Sequence, residues 1–148
     1  MAVKPDNKLK VQNLHAILRA MHWVNWTSHW QVSGPFFLQN HEFLGELYTG
    51  VEGEIDGLAE KMVAKYGEDV VDAAQSASRM VQIIDKFLGE KNIFKRALTM
   101  EETLCSAIKM VLESLQASDD LSPGWDNFLQ GVCDVHEKNV YKLQQLLK

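Results

Sequence analysis

Apolar residues recur at intervals of three and four along most of this 148-residue chain, which is the spacing of the buried face of an α-helix. The first stripe consists of Val11, Leu14, Leu18 and Met21. It predicts a helix over residues 6–32, with Asp6 as a suitable N-cap. Gly34 and Pro35 follow and are expected to end it.

The longest pattern predicts a second helix over residues 36–66, with Gly67 as its C-terminal stop. Its apolar stripe keeps the helical spacing without a break, so we expect one straight rod packed in a bundle. The stripe consists of Phe37, His41, Leu44, Tyr48, Val51, Ile55, Leu58 and Met62. At about 1.5 Å per residue the rod would be ~45 Å long.

Residues 67–98 form a connection that is too long for a hairpin turn and is expected to cross the bundle. Its apolar positions predict one shorter helix, broken at Gly89 and Asn92. A third helix is predicted over residues 100–118, with Thr99 as its cap and Glu102 closing a capping box. After a turn, a fourth helix covers residues 125–147, and His136 lies in its apolar stripe as a hydrogen-bonded core residue.

Two helices, a long crossover carrying a short helix, and two more helices predict an all-α, ferritin-like four-helix bundle. We expect one such domain over residues 1–148, with residues 1–8 as a short N-terminal tail. The helical pattern taken alone also fits a bundle that has no metal chemistry.

The formal net charge is −5, which argues against a dedicated nucleic-acid binder and is compatible with a protein that attracts cations. Cys105 and Cys133 have no CxxC spacing and are expected to be small apolar residues on helices. No apolar run is long enough to predict a membrane span, and the N-terminus lacks the apolar core of a signal peptide. A cytoplasmic location is therefore expected.

Four residues are candidate metal ligands: His29, His41, Asp56 and Glu60. A short turn between antiparallel helices could bring the two imidazoles together. Asp56 and Glu60 are four residues apart and share a helix face. Two nitrogens and two carboxylates suit Fe(II), which accepts both kinds of donor.

The spacing of these residues indicates a site shared between two chains. Asp56 follows His41 by 15 residues, which is ~22 Å along a straight helix. One chain cannot bring all four groups to one metal ion, but two chains can if their second helices lie antiparallel about a two-fold axis. The Glu-x-x-His motif of intrachain di-iron sites is absent from the sequence.

Several motifs resemble the DNA-protection-during-starvation (Dps) family of mini-ferritins. They are the run His29-Trp30-Gln31-Val32-Ser33-Gly34-Pro35-Phe36-Phe37 with His41, then Glu46-Leu47-Tyr48, Asp56-Gly57-Leu58-Ala59-Glu60-Lys61-Met62, Asp126-Asn127-Phe128-Leu129 and His136-Glu137-Lys138. The first two motifs together are quite specific, and the last motif is weaker. The resemblance touches three of the four predicted helices.

The resemblance implies a hollow dodecamer that binds Fe(II) between subunits, oxidises it, preferentially with hydrogen peroxide, and stores the ferric product as mineral. It implies that His29 and His41 are ligands from one subunit, while Asp56 and Glu60 come from its mate, with Glu60 as the bridging or strongest anionic ligand. Such a protein is a ferroxidase that protects against oxidative damage. The alternatives are a DNA-compacting protein of the same fold with minor iron chemistry, and a structural bundle with an idle site.

One position departs from the family, since many members have an aspartate four residues after the second histidine and this chain has Gly45. Glu42, Glu46 or a water molecule could replace it, so the binding of a second iron is in question. The resemblance also suggests Trp30 as a radical quencher, with interface packing as the alternative.

The resemblance also implies that acidic residues near the last turn line a pore that admits iron, with a solvated capping turn as the alternative. They are Asp119, Asp120 and Asp126.

The short basic N-terminus makes DNA binding possible, but the acidic balance of the chain disfavours it. His15 and His22 lie on the same face of the first helix as His29 and are expected to be interface or surface residues.

Overall fold

In the computed structural model, which describes residues 6–148, the chain is all-helical and these residues contain no strand. The elements are α1 (Asn7–Gln31), α2 (Phe37–Gly50), α3 (Glu52–Tyr66), a 3-10 turn (Glu68–Val71), α4 (Ala73–Phe87), α5 (Ile93–Ala117) and α6 (Pro123–Leu146). The predicted ferritin-like class is confirmed. Asp6 caps α1 as predicted, because its carboxylate accepts a hydrogen bond from the Leu9 backbone N–H at 2.9 Å.

Four long helical segments surround one apolar core. The helix α1 packs against the α2–α3 rod on one side and against α5 on another, while α5 runs along α6. The short α4 belongs to the crossover and packs chiefly on α1. Side chains with almost no solvent exposure fill the centre, among them Leu14, Leu18, Leu44, Leu58, Leu104, Leu115, Leu129 and Leu143.

The predicted straight rod over residues 36–66 is bent at Val51, which separates α2 from α3. Helical hydrogen bonding resumes at once, since the Ile55 N–H donates to the Val51 carbonyl at 2.9 Å. Gly50 is a weak helix former next to the bend. The Thr49 hydroxyl also donates to the Gly45 carbonyl at 2.8 Å, a type of back-bonding that bends helices.

The predicted start of the third long helix at residue 100 is wrong, because α5 begins at Ile93. The Asn92 side chain caps it by accepting hydrogen bonds from the backbone N–H groups of Phe94 and Lys95, at 3.1 and 3.0 Å. Thr99 lies inside the helix and donates to the Lys95 carbonyl, so the predicted capping box with Glu102 does not form. Asparagine is a favoured N-cap residue, and here it satisfies the free N–H groups of a helix start about two turns earlier than predicted.

His136 is a hydrogen-bonded core residue, as predicted, and it joins three helices. Its side chain lies between Glu54 on α3, at 2.7 Å, and Glu101 on α5. Asn139 completes the cluster by donating to Glu101 at 3.3 Å. Burial alone would lower the pKa of His136, but the hydrogen bonds and charges of the two carboxylates outweigh it and raise the pKa to about 9. An imidazolium therefore bridges the carboxylates at neutral pH.

Cys105 on α5 and Cys133 on α6 are half-buried free thiols. Burial raises the pKa of Cys105 to about 12, so this thiol is protonated at neutral pH.

Between residues 6 and 148, no helix combines the length and the apolar character that crossing a lipid bilayer requires.

Candidate metal centre

The turn between α1 and α2 brings His29 and His41 into direct contact. Their rings stack with centroids 3.5 Å apart and an interplanar angle of 21°. The chain reverses direction at Gly34, whose φ of +99° disfavours any residue with a Cβ. This arrangement agrees with the sequence prediction that a short turn could bring the two imidazoles together.

Each histidine is oriented by the other's backbone. The Nδ1 atom of His29 lies 2.6 Å from the His41 carbonyl oxygen, and the Nδ1 atom of His41 lies 2.7 Å from the His29 carbonyl oxygen. A carbonyl oxygen can only accept a hydrogen bond, so Nδ1 must carry the proton in both rings. The lone pair of each neutral ring is then on Nε2, which is the state in which histidine binds a metal ion.

The candidate carboxylates lie apart from the histidines within the chain. Asp56 and Glu60 are exposed on α3, beyond the bend at Val51. Over residues 6–148, no three His, Cys, Asp or Glu side chains are grouped so that they could hold a metal ion. The chain therefore presents its donors in two halves, a pair of imidazoles and a pair of carboxylates.

Aromatic rings cover the side of the histidine pair. Tyr48 meets the His29 ring edge-on with centroids 5.3 Å apart, and it stacks on Trp26 at 5.4 Å. Trp30 lies 5.2 Å from Trp26 and is 56% exposed. The suggested radical-quenching role of Trp30 stays a prediction, since geometry alone does not separate it from interface packing.

The His29 ring lies next to Gly45. A Cβ atom at this position would lie 3.4 Å from Cε1 and 3.5 Å from Nδ1 of His29, which is ordinary van der Waals contact. The imidazole thus lies over the position where many family members have an aspartate. Glu42 and Glu46, the suggested substitutes, are both exposed on α2.

The other two histidines of α1 differ from each other. The expectation of an interface or surface position is wrong for His15, which is 7% exposed. Its Nε2 lies 3.2 Å from the Ile55 carbonyl oxygen, and burial lowers its pKa. His22 is half-buried on the outer face, where its Nε2 lies 3.2 Å from a carboxylate oxygen of Glu52.

The acidic residues near the last turn have local contacts. Asp119 has a φ of +55°, a conformation that aspartate tolerates better than most residues. Asp120 forms an ion pair with Lys65 at 2.8 Å, and Asp126 accepts a hydrogen bond from Gln130 at 2.6 Å. These contacts fit a capping turn, and the pore role stays a prediction.

Sequence comparison finds similarity to proteins with a shared name. One is the "DNA protection during starvation protein" of Brevibacillus brevis, 36% identical over 77 residues, covering 47% of this chain and 52% of the relative. Another is "DNA protection during starvation protein 2" of Deinococcus radiodurans, 26% identical over 140 residues, covering 93% of this chain and 57% of the relative. The chain thus spans about half the length of these curated relatives. No profile of a protein family matches the chain.

Structural comparison finds similarity to proteins of the same name over nearly the whole chain. A crystal structure of the Dps protein from Vibrio cholerae, described as a member of a superfamily of ferritin-like diiron-carboxylate proteins, aligns with a TM-score of 0.81. The alignment covers 98% of this chain and 91% of the other at 18% identity. At this identity the likeness establishes the fold.

Proposed function

Since the chain matches the Dps-type mini-ferritins in sequence and in fold, we propose that it is a ferroxidase subunit of an iron-storing cage. Fe(II) is the substrate and the ferric mineral is the stored product. The expected assembly is a dodecamer, and the expected compartment is the cytoplasm. The activity would protect the cell against oxidative damage by removing Fe(II) and peroxide together.

The observation that carries this proposal is the reciprocal bonding of His29 and His41. Both Nδ1 atoms are used by backbone carbonyls, so both Nε2 lone pairs are left for a ligand. Histidines that bind a metal ion usually donate the N–H of the other ring nitrogen to a carbonyl or carboxylate oxygen, and both imidazoles do so here. They make a preformed two-nitrogen half-site.

The carboxylate half is supplied by a second copy of the chain in this proposal. Asp56 and Glu60 lie ~22 and ~28 Å from His41 along the rod, which is too far for one ion. In an antiparallel pair about a two-fold axis, the histidines of one copy face the carboxylates of the other twice over. Glu60 would be the strongest anionic ligand, and each dimer would hold two sites.

The chemistry is a two-electron reduction of hydrogen peroxide. Two Fe(II) ions each lose one electron, the O–O bond breaks, and two protons are taken up as two water molecules leave. The imidazoles hold Fe(II) as neutral donors, and the carboxylates favour Fe(III) because its charge is higher. In this proposal Trp30, which contacts Trp26, donates an electron to a stray radical.

Rapid mixing of Fe(II) and peroxide with the assembled protein tests the activity. We expect the double variant His41→Ala with Asp56→Ala to oxidise Fe(II) no faster than buffer does. Asp134→Asn is the matched control, because this exposed α6 carboxylate lies outside the proposed site and forms an ion pair with Lys138. Wild-type oxidation at the rate of buffer, or unchanged oxidation in the double variant, would leave an idle structural bundle as the better description.

Mixing two defective chains tests whether the site is shared. One chain has His29→Asn with His41→Asn, and the other has Asp56→Asn with Glu60→Gln; each alone should be inactive. Every mixed dimer contains one intact site and one that lacks all four donors. Random pairing should therefore restore about a quarter of the wild-type rate. No recovery in dimers shown to be mixed would contradict a shared site.

DNA compaction is the second candidate, suggested only by the name of the relatives. The described lysines at the start of α1 give it little support, because Lys10 donates a hydrogen bond to Ser114 at 3.0 Å. With a formal charge of −5 the chain would repel phosphate over most of its surface. We therefore place iron oxidation first.

A further inference from the structure

A second histidine–carboxylate pair lies on the same outer face as the proposed ferroxidase donors. His22 Nε2 and Glu52 Oε1 are 3.2 Å apart, with side chains 22% and 58% exposed. His22 precedes His29 by two helical turns on α1, and Glu52 precedes Asp56 by one turn on α3. These spacings keep each residue on the face of its helix that carries the ferroxidase donor.

The position of this pair along the face follows from the antiparallel pairing, so the inference rests on the proposed function. If His41 faces the partner's Asp56 and Glu60, the two-fold axis crosses the rod at about residues 48–51, halfway between the two halves. On α1, His22 lies ~10 Å before His29, which is half of the ~22 Å that separates the two ferroxidase sites. Both helices therefore place the pair close to the axis.

Contacts within the chain agree with this placement and orient the imidazole. His22 meets Tyr48, a residue at the calculated crossing point, edge-on with ring centroids 5.8 Å apart. Trp26, which stacks on Tyr48 with centroids 5.4 Å apart, meets the same ring at 5.6 Å. A ring packed against this aromatic pair has few alternative rotamers, so its Nε2 stays directed toward Glu52.

We propose that two copies of this pair meet on the two-fold axis and form a binding site for a divalent transition-metal ion of the zinc class. The ligands are His22 and Glu52 from each copy, a set of two imidazoles and two carboxylates that suits four-coordinate zinc. Tetrahedral ligands at ~2.0–2.1 Å from zinc lie about 3.3 Å from each other. The 3.2 Å between His22 Nε2 and Glu52 Oε1 is thus already the distance that two ligands of one ion require.

The charges around the pair favour a dication. The surface depression that contains His22 and Glu52 is also lined by His15, Arg19 and Asp56. His15 is buried and its pKa is lowered by burial, so it adds no positive charge at neutral pH. Before Asp56 binds iron, Glu52 and Asp56 outweigh Arg19 by one negative charge in each copy, and a divalent ion balances the two copies together.

The stoichiometry of Co²⁺ binding to the assembled protein tests this site, because a site on the axis holds one ion per two chains. We expect a component of about one half ion per chain with the intense visible absorption of tetrahedral cobalt. It should disappear in His22→Asn and in Glu52→Gln, and persist in His29→Asn with His41→Asn. Excess Zn²⁺ should displace it.

The two proposals fail in different ways. If the half-ion component is absent while about one ion per chain still binds and is lost in the His29 and His41 variant, the axial site is wrong and the ferroxidase site stands. If the component occurs at one ion per chain, or survives both His22→Asn and Glu52→Gln in folded protein, the axial site is also wrong. A protein that is monomeric in solution overturns both proposals.

Discussion

At the scale of a single residue, His41 combines a helix-capping hydrogen bond with a proposed role in metal binding. Its Nδ1 proton caps the His29 carbonyl, which lies in the last turn of α1 and has no partner within the helix. Its Nε2 is the proposed metal donor. A hydrogen bond of this kind contributes about 0.5–1.5 kcal/mol, so substitution by alanine would loosen the junction of α1 and α2 as well as remove the proposed ligand. Asparagine keeps a donor in a similar place and separates the two effects.

Gly45 limits the number of iron ions that each proposed site can hold. We expect Gly45→Asp to raise the Fe(II) bound per site from one toward two, because it adds a carboxylate next to the His29 ring. Anaerobic titration of Fe(II) measures the stoichiometry. Gly45→Asn, of similar size without the charge, should remain close to one. Two ions per site in the wild-type protein would show that Glu42, Glu46 or water already supplies the missing ligand.

At the scale of elements, apolar spacing was sufficient to predict the four long helices, because burial on one face dominates their stability. It could not predict the bend at Val51, since the apolar stripe continues through it and the cause is local, in Gly50 and the Thr49 hydroxyl. It also missed the cap at Asn92, where one side chain outweighs a plausible capping box farther along. The contact between His29 and His41 was predictable because the two residues lie on either side of one short turn.

The Glu101 carboxylate was missed for the opposite reason. It is 1% exposed, and its partners His136 and Asn139 lie on another helix, 35 or more residues away in sequence. In the sequence, a single charged residue next to an apolar stripe looks like a solvent-exposed residue at the edge of the buried helix face. Only the three-dimensional packing of α5 against α6 reveals that it is buried and paired.

The His136 cluster makes the packing of α3, α5 and α6 dependent on pH. The folded-state pKa of about 9 is raised above the ordinary value of 6.5. The stabilisation is fully present below about pH 6.5 and is lost as the pH rises through 9. We expect the free energy of unfolding to fall by on the order of a few kcal/mol between pH 7 and pH 10, as measured by denaturant titration.

His136→Gln, which cannot titrate, is the comparison for that experiment. Its unfolding free energy should be lower at pH 7 and should lack the decline that wild-type protein shows through pH 9. An equal decline in both proteins would assign the pH dependence to other groups.

At the scale of the whole molecule, the proposed site requires assembly before chemistry. Light scattering should give a mass about twelve times that of the 16.8 kDa chain. The acidic surface leads us to expect no retardation of DNA in a gel even at low salt. A shift that weakens steeply as salt is added would indicate phosphate contacts and favour the DNA-compacting alternative.

The spacing between His41 and Asp56, on either side of the bend at Val51, limits where a gene of this kind can gain or lose codons. An extra residue on either side of the bend turns everything beyond by about 100° and moves it ~1.5 Å along the axis. In the proposed shared site, the imidazole half and the carboxylate half would then no longer point to the same partner, although each would remain intact. Insertions and deletions between His41 and Asp56 should therefore be removed by selection, while the crossover after Tyr66 remains free to gain and lose residues.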